Sequence, residues 1–359
     1  MIPEPESLAD LVEVPAGAPP VPGLHFRRWA GPDDVPAMHA VAAAARAANG
    51  EDDDTTPEQM VHDYAHLTNS DPYRDTLLAF VDDRLVAYGR CHWDDRGDGV
   101  RSYGSFGFVH PAWRRRGIGT AMLRWFEARN VAIGMTHDTH RPRVLSAWSD
   151  EHDPGTAPML RAAGYEPERR FVHMERPDLE AIEVAPMPDG LEIRPATLAD
   201  ARAMFDGDAE SFRDHWGSVD DSPEAYQRFI GRTNLDPGLW VMAWEGDDCA
   251  GAIQLEIDRD PTIGRDPVLG WLGRVWVRRP WRNRGLARAL VGRSLVVLRE
   301  RGVHGAQLYV DVDNAQGAPG LYTRAGFVVE SEALAWRKPW PIPVAVPDGE
   351  PTALTWRRR

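Results

Sequence analysis

The sequence contains little that would serve disulfide formation, membrane insertion or export. Only two cysteines, Cys91 and Cys249, occur among its 359 residues, so we expect neither a disulfide framework nor a cysteine metal site. No run approaches the roughly 18 consecutive apolar residues of a membrane span. Residues 1–17 lack the basic segment and the following apolar segment of a secretion signal. These absences predict a cytoplasmic protein without a membrane partner.

Positive charge is also in deficit. The 41 Lys and Arg residues are outnumbered by 55 Asp and Glu residues, which gives a formal net charge of −14. Neutralisation of phosphates supplies much of the affinity of proteins that bind nucleic acid, so we predict no nucleic-acid partner. An acidic surface suits a small cationic substrate such as an amine, and it serves solubility equally well.

Metal-ligand spacing is missing as well. His137 and His140 lie in the short sequence HDTH, but no Cys or carboxylate set joins them at a recognisable spacing. We interpret them as loop histidines and predict no metal site.

The sequence contains one pattern that occurs twice. Residues 106–123 (FGFVHPAWRRRGIGTAML) and 274–291 (RVWVRRPWRNRGLARALV) both run from an apolar strand through a Pro-containing turn to Arg-x-x-Gly-x-small and an apolar-periodic helix. Flanking landmarks repeat in the same order, with residues 26–38 parallel to 193–204 and AAGY at 162–165 parallel to RAGF at 324–327. A repeat about half the chain long indicates two homologous domains.

The boundaries follow from where this pattern is interrupted. We predict an N-terminal extension (1–23), a first domain (24–185), a second domain (190–340) and a C-terminal extension (341–359). Pro and Gly break the pattern near residues 182–190, where we place the linker. The order of strands and helices in each copy predicts a mixed α/β fold with helices covering a sheet.

The glycine turn of the second copy has the properties of a diphosphate site. A strand ends at Val277, and a helix begins after residues 282–287 (RNRGLA). The first N–H groups of a helix lack partners and carry the positive end of its dipole. The lack of bulk at Gly285 and Ala287 lets a diphosphate approach those groups.

Charge and repetition strengthen this interpretation. Arg282 and Arg284 would add positive charge, and the first copy offers the same apparatus in Arg114, Arg116, Gly117 and Gly119. One such turn alone is more often only a tight connection between strand and helix. Two copies in matching context favour a phosphate site in at least one of them.

These motifs carry a family resemblance. A strand ending in Val, then Pro, then Arg-x-x-Gly-x-Gly/Ala opening a helix, resembles the coenzyme A loop of the GNAT superfamily. Residues 311–327 (DVDNAQGAPGLYTRAGF) resemble that superfamily's Asn-to-Leu-Tyr-to-Gly-Phe signature. The tandem layout, with DHWG at 214–217, resembles the mycothiol synthases of actinobacteria. The resemblance implies two GNAT-like domains, each a splayed mixed sheet flanked by helices, with acetyl-CoA as co-substrate.

The resemblance also implies roles for particular residues. Tyr322 would be the general acid that reprotonates the leaving thiolate, and Asn314 would position the cofactor or a bridging water. Alternatively, Tyr322 is a buried packing residue, and Asn314 forms an Asx turn or helix cap. The residues expected to bind the cofactor are Val275, Val277, Arg282, Asn283, Arg284, Gly285, Leu286 and Ala287, together with Arg114, Arg116, Gly117 and Gly119.

Two departures from the family pattern matter. Many members carry a Glu on the strand before the turn, but residues 268–277 contain no acidic residue, so the general base stays open among Glu256, Asp258 and His215. In the first copy, Leu160 aligns with Tyr322 and His152 with Asn314. We therefore predict that the first domain is catalytically silent.

The function expected is the transfer of acetyl from acetyl-CoA to a primary amine of a small molecule, by direct attack in a ternary complex. An amino-sugar–cysteine conjugate and an aminoglycoside-type amine are candidate acceptors. The alternatives are a protein or peptide N-acetyltransferase and a non-catalytic, regulatory protein that binds acyl-CoA. A monomer or a small homo-oligomer fits two domains already paired in one chain.

Overall fold

The computed structural model describes residues 14–51, 55–213, 216–217, 220–232, 235–257, 268–313 and 317–341. The strands are β1 (Leu24–Arg28), β2 (Thr76–Val81), β3 (Arg84–Asp95), β4 (Arg101–Val109), β5 (Arg143–Asp150), β6 (Glu166–Arg176), β7 (Glu192–Arg194), β8 (Trp240–Glu245), β9 (Asp248–Ile257), β10 (Leu269–Val277), β11 (Gly305–Asp311) and β12 (Val328–Pro339). The α-helices are α1 (Val35–Asn49), α2 (Pro57–Ala65), α3 (Pro72–Asp75), α4 (Ile118–Met135), α5 (Thr156–Ala162), α6 (Ala201–Phe212), α7 (Pro223–Ile230), α8 (Leu286–Glu300) and α9 (Ala318–Arg324). Within these residues, no helix combines the length and the apolar character that crossing a bilayer requires.

All of these strands belong to one mixed sheet. Their order is β1-β2-β3-β4-β5-β12-β6-β11-β10-β9-β8-β7. The two parallel pairs, β4 with β5 and β10 with β11, occupy equivalent places in the two copies. The predicted mixed α/β class, with helices covering a sheet in each copy, is confirmed.

The last strand of each copy pairs with the other copy. β12 pairs with β5 of the first copy, from Ala333 opposite Asp150 to Pro339 opposite Val144. β6 pairs with β11 of the second copy, and β6 and β12 pair with each other. This exchange was not predicted, because a strand's alternation fixes which face is buried and does not fix which strand lies beside it. The domain boundaries therefore stay a prediction.

The helices that follow the two glycine turns pack on the sheet through apolar faces at helical spacing. On α4, Ile118, Met122 and Phe126 are buried, and on α8 Leu286 and Leu290 are buried. The spacing of three to four residues places these side chains on one side of each helix. The same packing holds the N-terminus of each helix at the end of the preceding strand.

A buried ion pair fastens the exchanged strand β12 to the first copy. Nζ of Lys338 on β12 donates to Oε1 of Glu127 on α4 at 2.7 Å, and both side chains are buried. Burial raises the pKa of Glu127, and the ammonium of Lys338 opposes that rise. Loss of either partner would leave a buried charge without its counter-ion.

Replacing Lys338 by Met should therefore lower the free energy of unfolding by about 3 kcal/mol at neutral pH. Without the ammonium, the pKa of Glu127 in the folded state rises further above its unfolded value. The loss should therefore shrink as the pH falls through that folded pKa and the carboxyl takes up a proton. Urea unfolding at several pH values measures the effect.

Two further variants serve as controls. Glu127→Gln combined with Lys338→Met should recover most of the stability, since no buried charge remains unpaired. Glu332→Gln, on the same strand but in an exposed pair with Arg170, should change stability by less than about 1 kcal/mol. Equal losses in Lys338→Met and Glu332→Gln would contradict the assignment.

Candidate functional site

One large cleft connects the two copies. Its volume is about 2610 Å³, and both glycine turns, both parallel strand pairs and helix α6 line it. Because the turns of both copies open into the same cleft, ligands held at either turn would face a shared space.

The strands at the floor of the cleft separate after a short parallel contact. β10 and β11 pair over only three residue pairs, ending at Trp271 opposite Gln307. β10 then continues to Val277 and β11 to Asp311 without further pairing between them. The backbone of residues 272–277 consequently faces an open wedge. β4 and β5 separate in the same way beyond Gly104 and Ser146.

A β-bulge distinguishes the second wedge from the first. The pairing of β10 with β9 shifts register between Leu272 and Arg274, so that Gly273 is the extra residue. The pairing of β4 with β3 continues without a shift. A bulge interrupts the ladder and leaves backbone groups unpaired. An isolated Gly inside a strand is a signal for such a bulge, and it was available in the sequence.

The glycine turns have the same backbone in both copies. Gly285 and Gly117 are left-handed, with φ of 87° and 84°, and each immediately precedes its helix. Asn283 and Arg115, two residues earlier, are left-handed too, with φ of 59° and 61°. Neither helix start has a hydrogen bond from a side-chain cap. The first N–H groups of α4 and α8 therefore remain available to an anion.

The first arginine of each turn, Arg282 or Arg114, is not free, because its guanidinium is hydrogen-bonded to backbone carbonyls. Arg282 donates from Nε to the carbonyl of Val277 at 2.9 Å and from NH2 to the carbonyl of Ser211 at 3.1 Å. Arg114 makes equivalent bonds to the carbonyls of Val109 and Ala45. These arginines tie the turn to the preceding strand and to the first helix of each copy.

The next arginine of each turn lies nearer the surface. Arg284 donates to the carbonyl of Asp189 at 2.9 Å, and Arg116 stacks on the ring of Trp113. The other positions predicted to bind a cofactor lie in or beside the turn: Val275, Val277, Asn283, Gly285 and Ala287 line the cleft, as do Arg114, Gly117 and Gly119, and Leu286 anchors the helix in the core.

Access to the two turns is unequal. A Cβ on Gly285 would meet no atom within 4 Å, whereas a Cβ on Gly117 would lie 3.3 Å from Cβ of Pro19. Gly119 of the first copy also lies close to side chains of Val109 and Met159. The second turn is thus the more open of the two.

Tyr322 lies on α9 beside the wedge. Its side chain is 6% exposed and meets the ring of Phe327 edge-on at 5.9 Å, yet it also lines the cleft. Burial raises the pKa of its hydroxyl. Its burial fits the packing interpretation, and its place in the lining of the cleft fits the catalytic one.

The first copy has no such hydroxyl. Leu160, which aligns with Tyr322, is buried in an apolar cluster. His152, which aligns with Asn314, bonds to Asp150 and lies 3.3 Å from Glu330. Asn314 lies outside the described residues, so its predicted role stays a prediction.

Of the candidate bases, only Glu256 can be placed, since His215 and Asp258 lie outside the described residues. Oε1 of Glu256 accepts from Arg232 at 2.9 Å and from Gln254 at 3.0 Å, on the strand beside the bulge. Sequence reasoning missed a different carboxylate, Asp208 on α6, which lines the cleft. The signal was present, since Asp208 interrupts the apolar spacing of Met204 and Phe212.

One group of potential metal ligands occurs among the described residues. His173, Glu175 and Glu330 offer atoms within 4.8 Å of one another, where the exchanged strands meet. Nδ1 of His173 contacts Glu330 at 3.1 Å, and its Nε2 contacts Gln307 at 3.0 Å. Both ring nitrogens are therefore already engaged, and this geometry is that of a hydrogen-bond network between the copies.

Comparison with protein families gives one match that covers most of the chain. The Acetyltransferase (GNAT) family matches residues 38–140 and again residues 201–327. The two matches fall on the two copies and include both glycine turns.

Individual relatives agree in length and layout. A mycothiol acetyltransferase of Geodermatophilus obscurus is 28% identical over 86% of this chain and 95% of its own length. One of Kineococcus radiotolerans is 30% identical over 87% of this chain and 94% of its own length.

Solved structures agree as well. A GCN5-related N-acetyltransferase from Sphaerobacter thermophilus superposes with a TM-score of 0.64 at 26% identity, covering 88% of this chain and 95% of that one. A tandem GNAT protein from the clavulanic acid biosynthesis pathway has the same fold, with a TM-score of 0.61 at 19% identity, and covers 88% and 98% of the two chains.

Proposed function

Because the chain belongs to the GNAT family and is an N-acetyltransferase, we propose that its second copy transfers acetyl from acetyl-CoA to a primary amine of a small molecule. The observation that carries this proposal is the meeting of an open helix start at Gly285 and the hydroxyl of Tyr322 at one cleft. The helix start suits the diphosphate of the co-substrate, and the hydroxyl suits its sulfur.

The turn fits a diphosphate for local reasons. The uncapped N–H groups at the start of α8 and the dipole of that helix favour negative charge. The open space at Gly285 lets phosphate oxygens reach those N–H groups. Arg282 holds the turn in this shape through the carbonyls of Val277 and Ser211. Arg284 supplies charge at the rim.

The wedge fits the extended arm that joins the diphosphate to the thioester. The unpaired edge of β10 offers N–H and C=O groups over residues 272–277, and an extended chain can bond to them as an added strand. The bulge at Gly273 leaves backbone groups free of the ladder. A free N–H there would stabilise the negative charge that develops on the carbonyl oxygen during attack.

Tyr322 is assigned as the general acid. It would give its hydroxyl proton to sulfur as the carbon–sulfur bond breaks, because a thiolate is a poor leaving group unless its charge is neutralised. The phenol is protonated at neutral pH, as an ordinary tyrosine is, and burial raises its pKa further. Asn314 is assigned to position the co-substrate or a water beside it.

The acceptor would enter the cleft between the two copies. Binding amine and thioester together makes the attack effectively unimolecular. The curated relatives are named mycothiol acetyltransferases, and an amino-sugar–cysteine conjugate is therefore the first acceptor to test. The first copy, with Leu160 in place of the phenol, shapes the cleft and takes no part in the chemistry.

The proposal is tested by measuring free coenzyme A. Purified protein with acetyl-CoA should release thiol, detected with a thiol reagent, when a small primary amine is added. The panel comprises an S-alkylated cysteinyl amino sugar, kanamycin and a lysine-containing peptide. We expect turnover with at least one small amine and at least tenfold less with the peptide.

Each other outcome favours an alternative. Faster turnover of the peptide would indicate a protein or peptide N-acetyltransferase. Binding of acetyl-CoA in calorimetry without thiol release from any amine would indicate a regulatory protein that binds acyl-CoA.

A further inference from the structure

One carboxylate in the cleft has an incomplete set of partners. Oδ1 of Asp208 is buried and accepts no hydrogen bond from a described residue. Its Oδ2 lies 3.6 Å from Nη1 of Arg274, whose side chain is largely exposed. Buried polar atoms are nearly always hydrogen-bonded, and an unpaired one is costly. Such an atom beside a reaction site suggests a partner that arrives with the substrate.

Contacts on both sides of Asp208 fix its place. Gly207 packs against Trp276 so closely that no Cβ would fit there. The carbonyl of Ser211 accepts from Arg282 of the glycine turn at 3.1 Å. Asp208 therefore lies between the end of β10 and the turn, on the wall of the cleft.

The neighbouring strands do not provide a better base among the described residues. β10 contains no Asp or Glu, although many GNAT members carry a Glu on the strand before the turn. Glu256 on β9 already accepts two hydrogen bonds on one oxygen, from Arg232 and Gln254. Asp208 combines an unpaired oxygen, a place on the cleft wall and a contact with Arg274 of β10.

The geometry points to Asp208 as the general base that deprotonates the acceptor ammonium, supplied by α6 in place of the acid missing from β10. This inference rests on the proposed function and names a residue that carries it out. In this assignment, Arg274 is the cation that holds the carboxylate of Asp208 in place.

Each proton that moves in the proposed reaction has a donor and an acceptor. The carboxylate of Asp208 takes one proton from the ammonium and later releases it to solvent. The neutral nitrogen then attacks the thioester carbon, so that a carbon–nitrogen bond forms and the carbon–sulfur bond breaks. Tyr322 gives its proton to sulfur, and the phenolate recovers one, through solvent, from the nitrogen. The products are the amide, coenzyme A and one proton.

Burial helps this step because it raises the pKa of Asp208, while Arg274 opposes part of the rise. A higher carboxyl pKa lies closer to the ammonium value of about 10.4, so that the transfer costs less free energy. Several other charges on α6 and the elements packed against it form pairs of their own: Glu210 with Arg278, Arg202 with Asp206, Glu256 with Arg232, and Arg228 with Asp220. Glu224 on α7 and Asp248 on β9 are the remaining carboxylates of these elements.

The test compares two Asp→Asn variants on the same helix. With acetyl-CoA and the amine of the panel that turns over fastest, Asp208→Asn should lower kcat about a hundredfold at pH 7, at the lower end for a general base. The KM for acetyl-CoA should be unchanged. Between pH 7 and 9, its rate should rise about tenfold per pH unit, because only amine deprotonated by solvent reacts. The wild type should stay flat over that range.

The matched control is Asp206→Asn, which removes an exposed carboxylate paired with Arg202 and should behave as the wild type. Arg274→Leu provides a second test that keeps Asp208, because loss of the cation should move the acidic limb of kcat to higher pH. Equal kcat and pH profiles for the two Asn variants, or an unmoved limb in Arg274→Leu, would overturn the assignment. A wild type inactive on the whole panel would overturn the proposed function itself.

Discussion

Replacing Tyr322 by Phe is expected to lower kcat about a thousandfold, in the middle of the range for general acid catalysis. The KM for acetyl-CoA should stay within about threefold, because the phenol is assigned to sulfur and the diphosphate is bound elsewhere. Steady-state thiol release with the fastest amine of the panel measures both quantities. The ring stays in place against Phe327, so the variant removes one oxygen and no packing.

The pH dependence sharpens this prediction. Because burial raises the pKa of Tyr322, the wild type should show no alkaline loss of kcat up to about pH 9.5 from ionisation of this phenol. An ordinary tyrosine of pKa about 10 would begin to ionise near that limit.

Stability provides the control for Tyr322. Tyr322→Phe keeps the buried ring, so it should change the free energy of unfolding by no more than about 1 kcal/mol, the contribution of one hydrogen bond. Tyr226→Phe, on α7, should leave kcat unchanged. Wild-type turnover by Tyr322→Phe would leave the tyrosine as a packing residue only, and another donor would have to serve the sulfur.

Replacing Gly285 by Glu should reduce kcat/KM for acetyl-CoA about a thousandfold, mainly through weaker binding. A residue other than Gly in the left-handed conformation costs about 1–2 kcal/mol, which disturbs the turn. The added carboxylate would also occupy the anion-binding start of α8 and repel the diphosphate. Calorimetric titration with acetyl-CoA separates the loss of affinity from a loss of chemistry.

The first copy supplies a matched variant. Gly117 has nearly the same φ, 84° against 87°, so Gly117→Glu imposes a similar backbone cost at the equivalent turn. We expect it to retain activity within about threefold. Loss of activity in Gly117→Glu with retention in Gly285→Glu would reverse the assignment of the active copy.

A structural feature can be predicted from the sequence when the residues that determine it lie close together along the chain. The glycine turns could be predicted because their geometry is local, and the left-handed φ of Gly117 and Gly285 is what a strand-to-helix turn of this kind demands. The mixed α/β fold followed from the order of apolar strands and helices.

Features that depend on distant parts of the chain could not be predicted in the same way. The contacts of Arg282 are an example, since its guanidinium bonds to the carbonyl of Ser211, 71 residues away. The role of Asp208 likewise depends on α6 crossing β10 at Gly207 and Trp276. Which strand lies beside β11 is settled only by tertiary packing.

The crossed placement of β6 and β12 also makes the two halves depend on each other. The arrangement has the symmetry of a twofold dimer whose protomers trade their last strand, here fused into one polypeptide. Cutting the connecting segment would leave two fragments, each holding a strand that completes the other's hydrogen-bond ladder. The second half could not be produced alone without exposing the edge of β11. The first half thus supplies structure that the second half needs, whichever of the two carries the chemistry.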